Sequence, residues 1–325
     1  MDEVDGVTAV PPDIARVRAG DKVAVAQALN FVEDLRPAMR PAIEAFLTEI
    51  EQGPASAHRV GITGPPGVGK SSMTSALLQE LRQRSLTVGI VAVDPSSKRS
   101  GGALLGDRAR IRYDGADQGI FVRSMAAGEQ LGGLARATQA AVQVMAAAYD
   151  LVIVETVGVG QSETDIEDIA DTVVFVVQPG SGDTLQFLKS GIMEIPDILV
   201  INKADQEKLA RRAYHDLRGT LTYRETEAGG WEARVVRTSA VTGRGFDDMA
   251  DALAAHRAYL EAQGLARIRL EKARRWAVMT FTRLVGEFGV ENAGGRRALF
   301  QQLDASPATT PRQCLRSLLD AYAKA

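Results

Sequence analysis

One run of eight residues constrains this 325-residue chain more than anything else in it: Gly64-Pro65-Pro66-Gly67-Val68-Gly69-Lys70-Ser71, with Ser72 directly behind. The run satisfies G-x-x-x-x-G-K-[ST] and stands between a short β-rich segment, Arg59 to Thr63, and a helical stretch, Ser71 to Arg84. Glycines here let the backbone curl so that its N–H groups face phosphate oxygens at a helix N-terminus. Lys70 adds a cation for the β/γ phosphates and Ser71 a hydroxyl for Mg²⁺, neither of which a plain glycine-rich turn requires.

The remainder of the chain has the rhythm that such a unit needs. Val88 to Val93, Leu151 to Val154, Thr172 to Val177, Ile198 to Ile201 and Val235 to Thr238 are short Val/Ile-rich runs, as expected of strands buried on both faces. Helical segments separate them, notably Leu131 to Ala148 and Gln206 to Thr226, so the spacing predicts an α/β fold with a mostly parallel sheet. Before it, Lys22 to Glu51 reads as helix broken by Pro37 and Pro41, with Leu29, Val32, Leu35, Ile43, Phe46, Leu47 and Ile50 at helical intervals. After His256 strand signals cease, and Arg257 to Glu287, Arg296 to Leu303 and Pro311 to Ala323 look helical. The expected organisation is an N-terminal helical extension (1–57), a central α/β domain (58–256) and a C-terminal helical extension (257–325).

Composition narrows the function classes. A formal charge of −3 argues against a polyanionic partner such as nucleic acid. Cys314 and the scattered His58, His215 and His256 cannot build a disulfide framework or a Cys/His metal cluster within one chain. The acidic start, Met1-Asp2-Glu3, lacks the order of a secretory signal, and no apolar run is long enough for a membrane span, so the expected location is the cytoplasm.

Two more motifs follow the first in order. Asn202-Lys203-Ala204-Asp205, placed after Ile198 to Ile201, resembles the N-K-x-D signature of GTPases. A carboxylate at Asp205 can accept from both N1–H and the exocyclic amine of guanine, whereas adenine offers no such pair. Ser239-Ala240 resembles the companion motif whose backbone N–H meets guanine O6. Glu155-Thr156-Val157-Gly158, after Leu151 to Val154, occupies the place of Asp-x-x-Gly in small GTPases: Glu155 can reach the metal or its water, and Gly158 can offer its N–H to the γ-phosphate. Asp94, ending Val91-Ala92-Val93-Asp94-Pro95, and Asp107 in Gly106-Asp107-Arg108 are further hard-oxygen candidates. As isolated patterns, an Asp before Pro and a surface Asp would equally be turn and solvent residues.

With these residues assembled, the chain resembles the methylmalonyl-CoA mutase-associated GTPases of the MeaB/ArgK family. The distinctive stretches are Ala92-Val93-Asp94-Pro95-Ser96-Ser97, Gly101 to Arg108, Glu155 to Glu163, and Pro179-Gly180-Ser181-Gly182-Asp183 followed by Gln186 and Lys189. The resemblance implies a doubly wound P-loop domain of the SIMIBI class with helical extensions, the C-terminal one dimerising. It implies phosphate, catalytic and Mg²⁺ roles for Lys70, Ser71, Asp94, Asp107 and Glu155. Guanine recognition falls to Asn202, Lys203 and Asp205, and a switch segment to Gly180, Gly182, Asp183, Gln186 and Lys189. The expected activity is slow GTP hydrolysis that gates adenosylcobalamin loading, and protection or reactivation, of a B12-dependent acyl-CoA mutase, with the cobalamin held by the partner. Methylmalonyl-CoA mutase is the leading partner; isobutyryl-CoA or 2-hydroxyisobutyryl-CoA mutase, nickel delivery and a transport-linked kinase are the alternatives.

Overall fold

The computed structural model describes residues 10–34, 36–53, 57–94, 111–126, 136–156, 162–180, 196–222 and 230–324. Seven strands form one sheet in the order β3-β2-β4-β1-β5-β6-β7, and every neighbouring pair is parallel. They are β1 (His58–Thr63), β2 (Val88–Asp94), β3 (Ile120–Ala126), β4 (Leu151–Glu155), β5 (Thr172–Val177), β6 (Ile198–Ile201) and β7 (Arg234–Arg237).

The period of two explains why the strands are apolar throughout. In β2, Val88, Ile90 and Ala92 pack on one face, against Leu77, Leu78 and Met249, while Val91 and Val93 enter the core on the other, with Ala141 and Met145. β4 divides in the same way, Leu151 and Ile153 against Val152 and Val154. The first face is covered by α4 (Lys70–Gln83) and α8 (Phe246–Ala262). The second is covered by α1 (Ile14–Arg18), α2 (Lys22–Val32), α3 (Arg40–Glu51), α5 (Arg136–Ala148) and α6 (Ser162–Ile169). On that side Gly61 is needed, because a Cβ there would sit 2.7 Å from Ile166 Cδ1 and push α6 off β1. The parallel, doubly wound architecture expected from the sequence is therefore present.

The N-terminal segment breaks where the prolines stand. Pro37 opens a 3₁₀ turn (Pro37–Met39), and Pro41 lies in the first turn of α3, where its missing N–H costs nothing. Asp21 caps α2 by accepting from the amides of Val23 (2.9 Å) and Ala24 (3.0 Å).

Two expectations need correction. The sequence reading contains no strand between Val93 and Leu151, yet β3 pairs with β2 along its whole length. Its pattern is disguised because Arg123 and Ser124 interrupt the apolar run Ile120, Val122, Met125; Arg123 is satisfied by a fork to Glu33 at the end of α2, at 2.8 and 2.5 Å. The helix expected over Arg257 to Glu287 is divided, α8 from α9 (Leu265–Asn292) by Gly264 at φ +85, and α9 is itself broken at Gly286, whose φ of +73 and ψ of 173 are not helical. With α10 (Gly295–Asp304) and α11 (Pro311–Tyr322), α9 encloses a separate apolar cluster around Phe281, Leu303 and Leu318. The helix α7 (Glu207–Thr222) covers Phe175, Leu199 and Ile201. Among the described residues, no helix is long and apolar enough to cross a membrane.

Candidate functional site

Parallel strands align their carboxyl ends, and β1 lies between β4 and β5, where successive connections depart in opposite directions. Such a switch point leaves a crevice beyond the strand ends. Thr63, Asp94, Glu155, Val177 and Ile201 end five adjacent or near-adjacent strands, so the loop after β1 and the motifs after β4 and β6 come to one side of the sheet.

The loop from Gly64 to Gly69 is bent by three glycines of positive φ: Gly64 at +142, Gly67 at +80 and Gly69 at +91. Gly64 is the most demanding, because a Cβ would lie 2.2 Å from the Val176 carbonyl oxygen on β5. Pro65 and Val68 are buried, whereas Pro66, Gly67 and Ser72 are exposed. Lys70 turns back into the loop, donating from Nζ to the carbonyls of Gly64 (2.7 Å) and Pro65 (3.1 Å), and is buried. A loop that holds a cation at its centre, at the N-terminus of α4, is built to take an anion.

Glu155 is 5% exposed, and its carboxylate accepts from two hydroxyls of α4: Ser71 Oγ to Oε1 at 2.6 Å and Thr74 Oγ1 to Oε2 at 2.8 Å. Thr156, next in line, is joined to Thr63 through their hydroxyls at 3.0 Å. Asp94 ends β2 two positions beyond Ala92, which lies level with Glu155. Its side chain is outside the described residues, as are Asp107, Gly158, Gly182, Asp183, Gln186 and Lys189. Gly180 is exposed at φ +77 after β5. Ser71 and Glu155 present hard oxygen donors beside an anion cradle, a donor set that fits Mg²⁺. Among the described residues no cluster of three His, Cys, Asp or Glu side chains could hold another metal.

The motif after β6 is tied to the loop. Asn202 donates from Nδ2 to the carbonyls of Val68 (2.9 Å) and Gly69 (3.3 Å) and accepts from Thr238 Oγ1 (3.3 Å). Lys203 has a positive φ of 57, and its Nζ reaches Gly67 O (2.8 Å) and Gln178 Oε1 (2.6 Å). Asp205 is exposed and accepts from Ser239 Oγ at 2.7 Å. The Ser239 N–H is taken by Arg244 O at 3.1 Å, so the backbone donor that follows belongs to Ala240. Asp205 and Ser239 line one end of a cavity of about 1480 Å³ that continues along β7.

Sequence reading missed three contributors: Thr74, Gln178 and Thr238. Thr74 had a signal, its i+3 spacing from Ser71, which places both hydroxyls on one helix face. Gln178 and Thr238 had none, because each acts on a motif brought near only by the sheet.

The family model described as methylmalonyl-CoA mutase-associated GTPase MeaB matches residues 25–291. A Pyrococcus abyssi protein provisionally named a GTPase is 44% identical over 268 residues, covering 81% of this chain and 79% of the relative. GTPase ArgK of Escherichia coli is 36% identical over 270 residues, covering 81% of each. The mouse mitochondrial protein named as a methylmalonic aciduria type A homolog is 33% identical over 271 residues, 79% of this chain and 65% of that one. A crystal structure described as a LAO/AO transport system kinase superposes with a TM-score of 0.68 at 30% identity, covering 95% of this chain and 96% of that one. With a P-loop, an Asn-Lys-x-Asp motif and a Glu-ended β4 meeting at one sheet edge, this chain belongs to the methylmalonyl-CoA mutase-associated GTPase MeaB family.

Proposed function

We propose that this chain binds GTP at the loop 64–71, hydrolyses it slowly, and uses the cycle to gate adenosylcobalamin loading and repair of a B12-dependent acyl-CoA mutase. The observation that carries the nucleotide reading is the pair of anchors around the P-loop: Glu155 on Ser71, and Asn202 on the carbonyls of Val68 and Gly69. They support a metal reading for the carboxylate beside Ser71 and a base-recognition reading for the motif one loop away.

Each residue then has a task. The P-loop amides and Lys70 take the β and γ phosphates, Lys70 exchanging its two carbonyl partners for phosphate oxygens. Asp205, oriented by Ser239, accepts from guanine, and Asn202 holds that motif against the loop. Ser71 and Glu155, joined by Asp94 and Asp107, would hold Mg²⁺, which when bound neutralises charge on the transferring phosphoryl group. No glutamine stands next to Gly158 to position water as in Ras-type proteins, which favours slow unaided turnover. Residues 1–57 and 257–325 serve as helical extensions, the latter in a homodimer. The switch is assigned to 180–189 together with Asp107 and Gly158.

Support for the mutase comes from the family description and from the methylmalonic aciduria type A relative. The test is a pull-down with purified methylmalonyl-CoA, isobutyryl-CoA and 2-hydroxyisobutyryl-CoA mutases, in GDP and in a nonhydrolysable GTP analogue, followed by phosphate release. One mutase should bind in a nucleotide-dependent manner and raise the rate; binding to none would leave a GTPase without this role. The relative named as a transport kinase motivates a second reading, phosphoryl transfer to a protein. γ-Labelled GTP separates the two: label should appear as free phosphate, and label retained on protein would favour the kinase.

A further inference from the structure

We propose that Thr74 is a positioning residue for Glu155: its hydroxyl fixes the metal-facing carboxylate, so that Ser71 can turn its own oxygen to the cation without releasing that carboxylate. The inference rests on the reading of Glu155 and Ser71 as the Mg²⁺ face.

A glutamate carries one more rotatable bond than an aspartate, and holding it in a single orientation costs about 1 kcal/mol or more of side-chain entropy. At the end of β4 that orientation is held from both oxygens, by Ser71 on Oε1 and Thr74 on Oε2. The two hydroxyls are not equivalent. Ser71 is half-buried at the start of α4 and in this reading also offers its oxygen to the cation, so the direction of its O–H toward Glu155 is tied to the metal site. Thr74 is fully buried one turn further along, away from the loop, and its β-branched side chain has few rotamers in a helix.

The direction of the Thr74 hydroxyl is informative. Within a helix, a Ser or Thr hydroxyl is readily satisfied by the carbonyl four residues back. Ser75, the adjacent residue, does this, donating to Ser71 O at 2.8 Å. Thr74 instead sends its proton across to β4, a charge-assisted bond of 2.8 Å. Its geometry serves the carboxylate rather than the helix.

The experiment uses the full chain with Thr74→Val, which keeps the shape and removes the hydroxyl, and Thr74→Ser, which restores it. GDP affinity is measured by calorimetry in saturating Mg²⁺ and in EDTA, together with the Mg²⁺ concentration that gives half-maximal GDP retention. Loss of one hydrogen bond to a charged group predicts a Mg²⁺ midpoint raised about tenfold in Thr74→Val. Affinity in EDTA should stay within about twofold, and Thr74→Ser should return to wild type. In a Glu155→Ala background, where Thr74 has no side-chain oxygen at 155 to orient, Thr74→Val should add no further shift. If Thr74→Val folds poorly, Thr74→Ala removes the same hydroxyl and is compared with Thr74→Ser: a midpoint left unchanged by Thr74→Ala, or not returned to wild type in Thr74→Ser, overturns the proposal. Equal loss with and without Mg²⁺, or additivity with Glu155→Ala, also overturns it. Wild-type GDP retention that ignores Mg²⁺ would instead defeat the metal reading of Glu155 itself, and Thr74 with it.

Discussion

In the proposed nucleotide site, Asp205 is a small lever on a large discrimination. Its carboxylate is exposed at the mouth of the cavity along β7 and anchored by the Ser239 hydroxyl, so it is already oriented before a base arrives. An amide in its place keeps one acceptor but turns a donor toward guanine N1–H or the exocyclic amine, leaving two like groups opposed. Asp205→Asn should therefore weaken GTP binding on the order of a hundredfold and improve xanthosine triphosphate binding, read by competition with a fluorescent guanine nucleotide. Undiminished GTP preference would remove Asp205 from base recognition. Lys70 and Ser71 were legible as chemistry because their motif states its own geometry. The partner of Thr74 was not, since its i+3 spacing from Ser71 gives the helix face but not the glutamate 81 positions later that the face meets.

The strands β1 and β5 carry a buried polar relay at their amino ends. His58 Nε2 lies 2.6 Å from Thr172 Oγ1, which lies 2.8 Å from Nδ1 of His256 on α8, whose Nε2 faces Asp197 at 3.4 Å. One hydroxyl proton serves two imidazoles, so the partners assign the hydrogens: His58 donates to Thr172, Thr172 donates to His256 Nδ1, and His256 Nε2–H points to Asp197. Burial, reinforced by nearby positive charge, pushes His58 down to about 4 and His256 down to about 3. In the unfolded chain both titrate near 6.5, so between that value and the folded values the unfolded state binds more protons. Their contribution is complete above pH 6.5 and is lost as pH falls toward 4. Urea unfolding at pH 7.5, 6.5, 5.5 and 5.0 should show stability declining below 6.5 by up to about 1.4 kcal/mol per pH unit for each histidine. A flat profile down to pH 5 would show that the imidazoles are not held neutral.

Across the whole molecule, the helices after β7 are fastened to the end of the sheet opposite the P-loop. Asp171, 4% exposed just before β5, receives Arg269 of α9 as a two-pronged ion pair at 2.8 and 2.7 Å, the Arg59 amide at 2.9 Å, and Arg257 at 3.7 Å. Burial opposes its charge, but these hydrogen bonds and the neighbouring arginines outweigh that and hold the carboxyl below the usual range. Arg269→Ala should cost roughly 3 kcal/mol by denaturant unfolding, since it strands a buried carboxylate. Arg316→Ala, which removes an exposed pair to Asp320 at 3.9 Å, should cost less than about 0.5 kcal/mol. Equal effects would mean that the Asp171 cluster is not a fastening. The sequence by itself determined the parallel α/β class, the strands of two-sided apolar pattern and the motifs around Lys70, Glu155 and Asp205, because period, glycine placement and side-chain chemistry are local properties. Only the tertiary structure decided the edge strand β3, the Thr74 and Gln178 contacts and the Asp171 fastening. Each of these depends on a partner distant in the chain, and a local pattern carries no record of what will be packed against it.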